Sequence, residues 1–149
     1  MKFKLSSQFG ELTEVRDHAH NGIDFAMNSG TTLRTIKDGL VTRVFDGSTD
    51  IGKGVAIQTD NGNTHIFGHM SAVNVHEGQS LHHGDVIGLS GNTGHSTAPH
   101  LHFGIQTPTG DFADPTNYAT AVAGASGDNS WMMDKFNNFS DWFVGKEVE

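Results

Sequence analysis

The sequence contains no cysteine, and this absence excludes two kinds of site. Without thiols the chain has neither a disulfide framework nor a zinc site built on thiolates. Any bound metal must therefore be held by histidine and carboxylate side chains. Ten histidines among the 149 residues are enough to build such a site.

Basic residues and long apolar runs are also scarce. Nine Lys and Arg residues against 17 Asp and Glu residues give a formal net charge of −8. This balance argues against nucleic acid as a partner, because phosphate recognition needs clustered positive charge. No apolar run is long enough to form a transmembrane segment. Residues 1–6 have two lysines but no apolar run after them, so we expect no signal peptide in this chain.

Glycine is abundant, and β-branched residues occur in short runs, which together predict one mainly β domain. The clearest hairpin comprises residues 55–60 and 64–69 around Asn61-Gly62, a dipeptide that accepts the positive φ angles of tight turns. Alternation along its second strand places His65, Phe67 and His69 on one face.

A strand over Pro99–Gly104 carries two histidines on one face. Successive strand side chains point to opposite faces, so His100 and His102 lie together while Leu101 and Phe103 point into a core. The pair suits a metal, or a metal ligand beside a proton acceptor. The alternative is an apolar strand with two exposed histidines on its polar face.

An earlier stretch offers a second pair of chemical groups. Asn21-Gly22 predicts a turn into a strand where Ile23 and Phe25 face a core. His20 and Asp24 then lie on the opposite face, either as part of a site or exposed to solvent.

These two stretches can be combined into one metal site. Zinc in hydrolytic sites takes three protein ligands, and His20, Asp24 and one of the paired histidines supply three. The second paired histidine and His69 remain for catalysis. The chain lacks a His-Glu-x-x-His helix, so a neutral imidazole near the metal would have to act as the base.

Four motifs follow one another along the chain: His20-x-x-x-Asp24, Phe67-Gly68-His69-Met70-Ser71, Gly91-Asn92-Thr93-Gly94 and His100-Leu101-His102-Phe103. Together they resemble the lysostaphin-type (LytM-like) zinc endopeptidases, which cut peptide bonds in bacterial peptidoglycan. The resemblance runs from about His20 to Tyr118.

This resemblance implies one zinc ion per chain, bound by His20, Asp24 and His102. It implies that His100 is the general base and that His69 orients water or steadies the oxyanion. It also implies a largely antiparallel β fold with a groove over the metal. The expected place of action is extracellular, at the cell wall, or reached by phage delivery.

One feature departs from the family pattern. Several relatives have a tyrosine a few residues before the first ligand histidine, whereas residues 14–19 here contain none. Arg16 or His18 is a candidate substitute. The other histidines match no ligand position and are predicted to be ordinary surface residues: His65, His76, His82, His83 and His95.

The C-terminal part is predicted to be separate from the endopeptidase domain, which spans residues 1–122. Small residues from Ala119 to Ser130 indicate a flexible linker, with residues 123–130 assigned as linker and 131–149 as an amphipathic helix. Its apolar stripe is formed by Met132, Phe136, Phe139 and Phe143. This helix would pack on its own domain, self-associate, or touch a membrane surface or a partner.

The alternative function is a non-catalytic wall-binding or scaffolding relative of the same fold. Such relatives usually lack one or more ligand or base positions, and all five are present here. A third hypothesis interprets residues 78–91 as part of a lipoyl-like carrier domain. It is the least favoured of the three, because no Asp-Lys or Met-Lys attachment turn is present. The sequence leaves the identity of the cleaved bond open.

Overall fold

The computed structural model describes residues 3–12 and 19–127. Its described part is built almost entirely from antiparallel strands, which confirms the predicted fold class. The elements are β1 Leu5–Ser7, β2 Ile23–Ala26, β3 Thr32–Arg34, β4 Gly39–Asp46, β5 Lys53–Thr59, β6 Thr64–Val73, β7 Ser80–Leu81, β8 Val86–Ser90, β9 His100–Gln106, β10 Phe112–Ala113, a 3₁₀ turn Thr116–Tyr118 and helix α1 Ala119–Ala125.

The strands form one sheet in the order β1-β2-β9-β6-β5-β4-β7. Strand β8 pairs with both β6 and β3, and β10 pairs with β9. The predicted hairpin is β5–β6, and Gly62 in its turn has a φ of 86°. The sheet therefore places β9, with its two histidines, between β2 and β6.

The core contains the apolar residues that alternation selected. Ile23 and Phe25 of β2 and Leu101 and Phe103 of β9 are fully buried. The rings of Phe67 and Phe103 meet edge to face with centroids 5.1 Å apart. Burying one such side chain contributes about 1.5–3 kcal/mol. The opposite faces of β2 and β9 are left for polar side chains.

Alternation fails in the middle of β6, at His69, which the sequence placed on the face of His65 and Phe67. His69 has a φ of 60° and is the one non-glycine residue in the described ranges with a positive φ. This conformation breaks the two-residue period. The His65 ring contacts Phe103 in the core, whereas the His69 ring lies 4.6 Å from that of His100.

The prediction that His65 is a surface residue is wrong. Its exposed fraction is 1%, because its side chain lies on the same core face of β6 as that of Phe67. Its ring contacts Phe103 and Tyr118 with centroids 5.4 and 5.6 Å away. Within the described residues its Nδ1 is a buried side-chain atom without a hydrogen-bond partner.

The prediction of a flexible linker from Ala119 is wrong for residues 119–125, which form α1. Alanine has the highest helix propensity, and Ala119, Val122 and Ala123 form one buried face. The chain beyond α1 is anchored where Gly127 donates its N–H to Thr32 O at 2.8 Å. The predicted helix over 131–149 lies outside the described residues and stays a prediction, as does the domain division.

None of the helices within residues 3–12 and 19–127 has the length and apolar character needed to cross a bilayer.

Candidate metal centre

The register between β2 and β9 places two of the candidate ligands next to each other. Asp24 stands directly opposite His102 in this antiparallel pair. Cross-strand neighbours lie within side-chain reach of each other. The Oδ1 atom of Asp24 accordingly lies 3.1 Å from Nδ1 of His102.

His20 reaches the same point from the turn before β2. Its Nε2 lies 3.2 Å from Asp24 Oδ1 and 3.2 Å from His102 Nδ1. Gly22 makes this approach possible, since a Cβ atom there would lie only 2.7 Å from His102 Cε1. The turn predicted from Asn21-Gly22 therefore also leaves space for the His102 ring.

His20, Asp24 and His102 thus bring three potential ligand atoms within 4.8 Å of one another, and all three residues are buried. Tetrahedral zinc with bonds of about 2.0–2.1 Å separates its ligand atoms by about 3.3 Å. The separations of 3.1–3.2 Å match this spacing. Two imidazoles and a carboxylate are donors that zinc accepts, so the residues present fit the ion.

The protonation states suit metal binding. Burial raises the pKa of Asp24, but hydrogen bonds from His102 and His20, and their charge, lower it more, so the pKa falls well below its ordinary value. Burial lowers the pKa of His102, and the Asp24 carboxylate offsets this only in part. At neutral pH the carboxylate is ionised and the His102 imidazole is neutral, which are the ligand forms.

The outer nitrogen of His20 is also held. Its Nδ1 donates to the carbonyl oxygen of Gln8 at 3.1 Å and lies 3.0 Å from the Ser7 hydroxyl. The Ser7 hydroxyl faces Glu11 Oε1 at 3.4 Å. Such outer partners orient ligand histidines and fix their tautomer. These partners hold the His20 ring with its Nε2 towards Asp24 and His102.

His100 and His69 lie beside this cluster. The Nε2 of His100 lies 3.5 Å from Asp24 Oδ2, and its Nδ1 donates to Ala98 O at 2.8 Å. The His69 ring centroid lies 4.6 Å from that of His100 and 6.0 Å from that of His102. Burial lowers the pKa of His69 to about 4, although its hydrogen bond to Thr93 acts in the opposite direction. All five candidate residues therefore come together.

The remaining histidines divide into two groups. His76, His82, His83 and His95 are exposed, as predicted, whereas His65 is buried. The two candidate substitutes for the family tyrosine, Arg16 and His18, lie outside the described residues.

Sequence reasoning missed the outer partners of the site histidines. Gln8, Thr93 and Ala98 act through backbone carbonyls, which carry no signal in the side-chain pattern. Ser7 was passed over because nothing predicted that β1 pairs beside His20. Thr93 had one signal, its place in the Gly91–Gly94 motif.

Residues 18–115 match the model of peptidase family M23. The chain belongs to peptidase family M23. Members of this family are zinc-dependent, in agreement with the three-ligand geometry of His20, Asp24 and His102.

Individual relatives support this membership. Glycyl-glycine endopeptidase ALE-1 of Staphylococcus capitis is 33% identical over 132 residues, covering 78% of this chain and 35% of the relative. Peptidoglycan DD-endopeptidase ShyA of Vibrio cholerae is 43% identical over 108 residues, covering 68% of this chain and 24% of the relative. This chain therefore spans about a quarter to a third of the length of such curated relatives.

A solved structure shows the same fold. The catalytic domain of lysostaphin from Staphylococcus simulans superposes with a TM-score of 0.71 at 30% identity. The match covers 78% of this chain and 91% of that domain. The described strands thus correspond to a peptidase catalytic domain.

Proposed function

We propose that this chain is a zinc-dependent endopeptidase domain that hydrolyses peptide crosslinks or stem-peptide bonds of bacterial peptidoglycan. The observation that carries the proposal is the spacing of 3.1–3.2 Å among donor atoms of His20, Asp24 and His102. Membership of a peptidase family supports it, and the printed activities of ALE-1 and ShyA support the substrate class.

The proposed mechanism assigns His20, Asp24 and His102 as zinc ligands. When bound, zinc supplies Lewis acidity that polarises a carbonyl and lowers the pKa of water towards neutrality. The ligand set contributes one negative charge, from Asp24, so the centre with a divalent ion stays net positive.

The proton transfers fall to His100. Its Nδ1 is occupied by Ala98 O, so in the neutral ring Nε2 carries the lone pair. That nitrogen takes a proton from the attacking water and later gives it to the leaving amine. His69, on the other side of His100, orients the water or steadies the charge that develops on the scissile carbonyl oxygen.

The deciding experiment separates metal binding from hydrolysis. Zinc-loaded protein is incubated with intact sacculi of several crosslink types, and new amino groups are measured with mass analysis of the products. His102→Ala is expected to lose zinc, because one of three ligands is gone. His100→Ala is expected to keep zinc and lose hydrolysis. His83→Ala is the control that keeps both, because this histidine is exposed and its imidazole makes no hydrogen bond within residues 3–12 and 19–127.

Two outcomes would contradict the proposal. Protein that binds about one zinc yet releases no amino groups from any sacculus would instead be a wall-binding or scaffolding relative. Full activity in His102→Ala would show that the ligand set is wrong. The products would identify the bond. The proposed place of action is the cell wall, reached by secretion or from a phage.

For residues 131–149 we propose packing on the domain or on a second copy through the apolar stripe of the predicted helix. Docking of this helix on a membrane surface is less favoured, since the charged side chains of residues 131–149 are mostly acidic. Truncation before Ser130 is expected to change molecular size or thermal stability. Unchanged size, stability and activity would contradict this role.

A further inference from the structure

The Gly91-Asn92-Thr93-Gly94 motif has no role in the mechanism above, although it lies against both catalytic histidines. Its loop contacts β9 through an isolated bridge between Gly91 and His100. The loop also supplies acceptors to the imidazoles, Thr93 O for His69 and Ala98 O for His100. The motif therefore borders the reacting groups without contributing a side chain to them.

His69 needs external support because its backbone is strained. Its positive φ costs on the order of 1–3 kcal/mol and persists only where surrounding contacts enforce it. Two contacts do so: the His69 N–H donates to Ile51 O at 2.7 Å, and its Nδ1 donates to Thr93 O at 2.7 Å. One contact fixes the backbone and the other fixes the ring.

Thr93 is in turn fixed through its hydroxyl. The hydroxyl donates to Met70 O at 2.6 Å and accepts the N–H of Lys53 at 3.0 Å. Met70 directly follows His69, so Thr93 bonds both the side chain of His69 and the backbone of its neighbour. A Cβ atom at Gly52 would lie 2.5 Å from the Thr93 backbone, which shows how closely the two loops meet.

The bond to Thr93 O also determines what His69 can do. A carbonyl oxygen only accepts, so Nδ1 carries the hydrogen and the neutral ring presents a lone pair at Nε2. A ring in that state accepts a hydrogen bond from water and cannot donate one to an oxyanion. Of the two roles considered for His69, orienting the water is the one that fits.

We infer that Thr93 is a positioning residue, whose hydroxyl anchors the loop so that its carbonyl holds His69 with Nε2 unprotonated towards the attacking water. This inference rests on the proposed peptidase function. Its chemistry is confined to the His69 ring, so it can be tested apart from hydrolysis.

The experiment compares Thr93→Val, which keeps the shape and removes the hydroxyl, with Thr93→Ser, which restores it. In zinc-loaded full chain acting on soluble crosslinked peptides released from sacculi, Thr93→Val is expected to lower kcat about tenfold or more. KM and bound zinc are expected to stay unchanged. Thr93→Ser is expected to recover most of kcat. Thr59→Val is the matched control, because that hydroxyl bonds only within the β5–β6 turn.

A second readout does not depend on activity. Heteronuclear NMR of the imidazole nitrogens, with His69 assigned by its loss in His69→Gln, is expected to show hydrogen on Nδ1 in the wild type. In Thr93→Val the ring is expected to lose this single tautomer.

Hydrogen on Nε2 in the wild type would overturn the inference, as would unchanged kcat and unchanged His69 signals in Thr93→Val. If Thr93→Val does not fold, the wild-type tautomer decides. Absence of hydrolysis in the wild type with hydrogen on Nδ1 would refute the proposed function and leave the positioning of His69 intact.

Discussion

Strand β6 contains two buried histidines, one near its start and one in its middle, whose surroundings differ. His65 and His69 are four residues apart, and burial lowers the pKa of each to about 4. Within residues 3–12 and 19–127 the Nδ1 of His65 has no hydrogen-bond partner, whereas that of His69 is bonded to Thr93 O. Burial and a lowered pKa therefore do not distinguish the proposed catalytic histidine, His69, from a core histidine. Its bonded Nδ1 and its neighbouring carboxylate and imidazoles distinguish it.

The largest effect is expected from removing the metal from the centre beside His69. Chelation is expected to abolish hydrolysis and to lower the free energy of unfolding by about 4 kcal/mol if zinc is present at a thousand times its Kd. Asp24→Asn is expected to behave as the chelated wild type, with no further change on chelation. Calorimetry with and without chelator measures this, and an unaltered melting curve would argue against a bound ion.

The second largest effect is expected in kcat, which should respond differently to substitution of His69 and of His65. His69→Ala is expected to lower kcat a hundredfold or more, the range for positioned acid–base groups, with zinc retained. His65→Leu is expected to leave kcat within about twofold, because the residue faces the core. Steady-state rates and zinc content of both variants test the contrast. Equal losses in the two would break it.

On the core face of β6, His65 is expected to contribute to the pH dependence of stability. Its folded pKa of about 4 lies below the unfolded value of 6.5, so the unfolded state binds the proton more readily. The contribution of His65 to the free energy of unfolding is therefore complete above pH 6.5. It falls as the pH drops towards 4, by up to about 3 kcal/mol. Lys37, which shares in this shift, and the Tyr118 ring face the same imidazole.

The measurement is denaturant unfolding of wild type and His65→Leu between pH 7 and 4. Carboxylates and His69 titrate in both proteins, so the difference between the two curves isolates His65. A difference that does not depend on pH would contradict the assignment.

The smallest effect concerns another outer nitrogen, that of His20. Ser7→Ala removes one of the two partners of His20 Nδ1 and is expected to weaken zinc binding about tenfold. Competition with a chromogenic chelator measures the affinity. Ser71→Ala is the control, since that hydroxyl donates to Ser90 O and contacts no ligand. Equal affinities in Ser7→Ala and the wild type would show that Gln8 O suffices alone.

Much of this arrangement could be predicted from strand periodicity. The faces of β2 and β9 followed from the alternation of Ile23, Phe25, Leu101 and Phe103 with polar residues. Periodicity could not predict which of His100 and His102 is the metal ligand, because this depends on the register that sets Asp24 opposite His102. Register between strands about 80 residues apart is a tertiary property, which local patterns do not encode.

The errors have equally specific causes. His65 was placed at the surface because it matches no ligand position of the family, although its own alternation with Phe67 pointed to the core. His69 departed from that alternation because its backbone adopts a left-handed conformation stabilised by Ile51 and Thr93. Ala119–Ala125 lacked long apolar side chains, yet small residues suffice to pack a short helix.

The contact between His69 and Ile51 has a consequence for protein engineering. Residues 49–52 supply no side chain to the metal centre, so a designer exchanging surface loops to redirect substrate preference would regard them as free to vary. The carbonyl oxygen of Ile51 nevertheless accepts the N–H of His69 and helps to fix the backbone conformation of that residue. Any graft that shortens or lengthens this loop is expected to misalign the His69 ring, for which we propose a catalytic role, and new specificities should instead be built elsewhere on the scaffold.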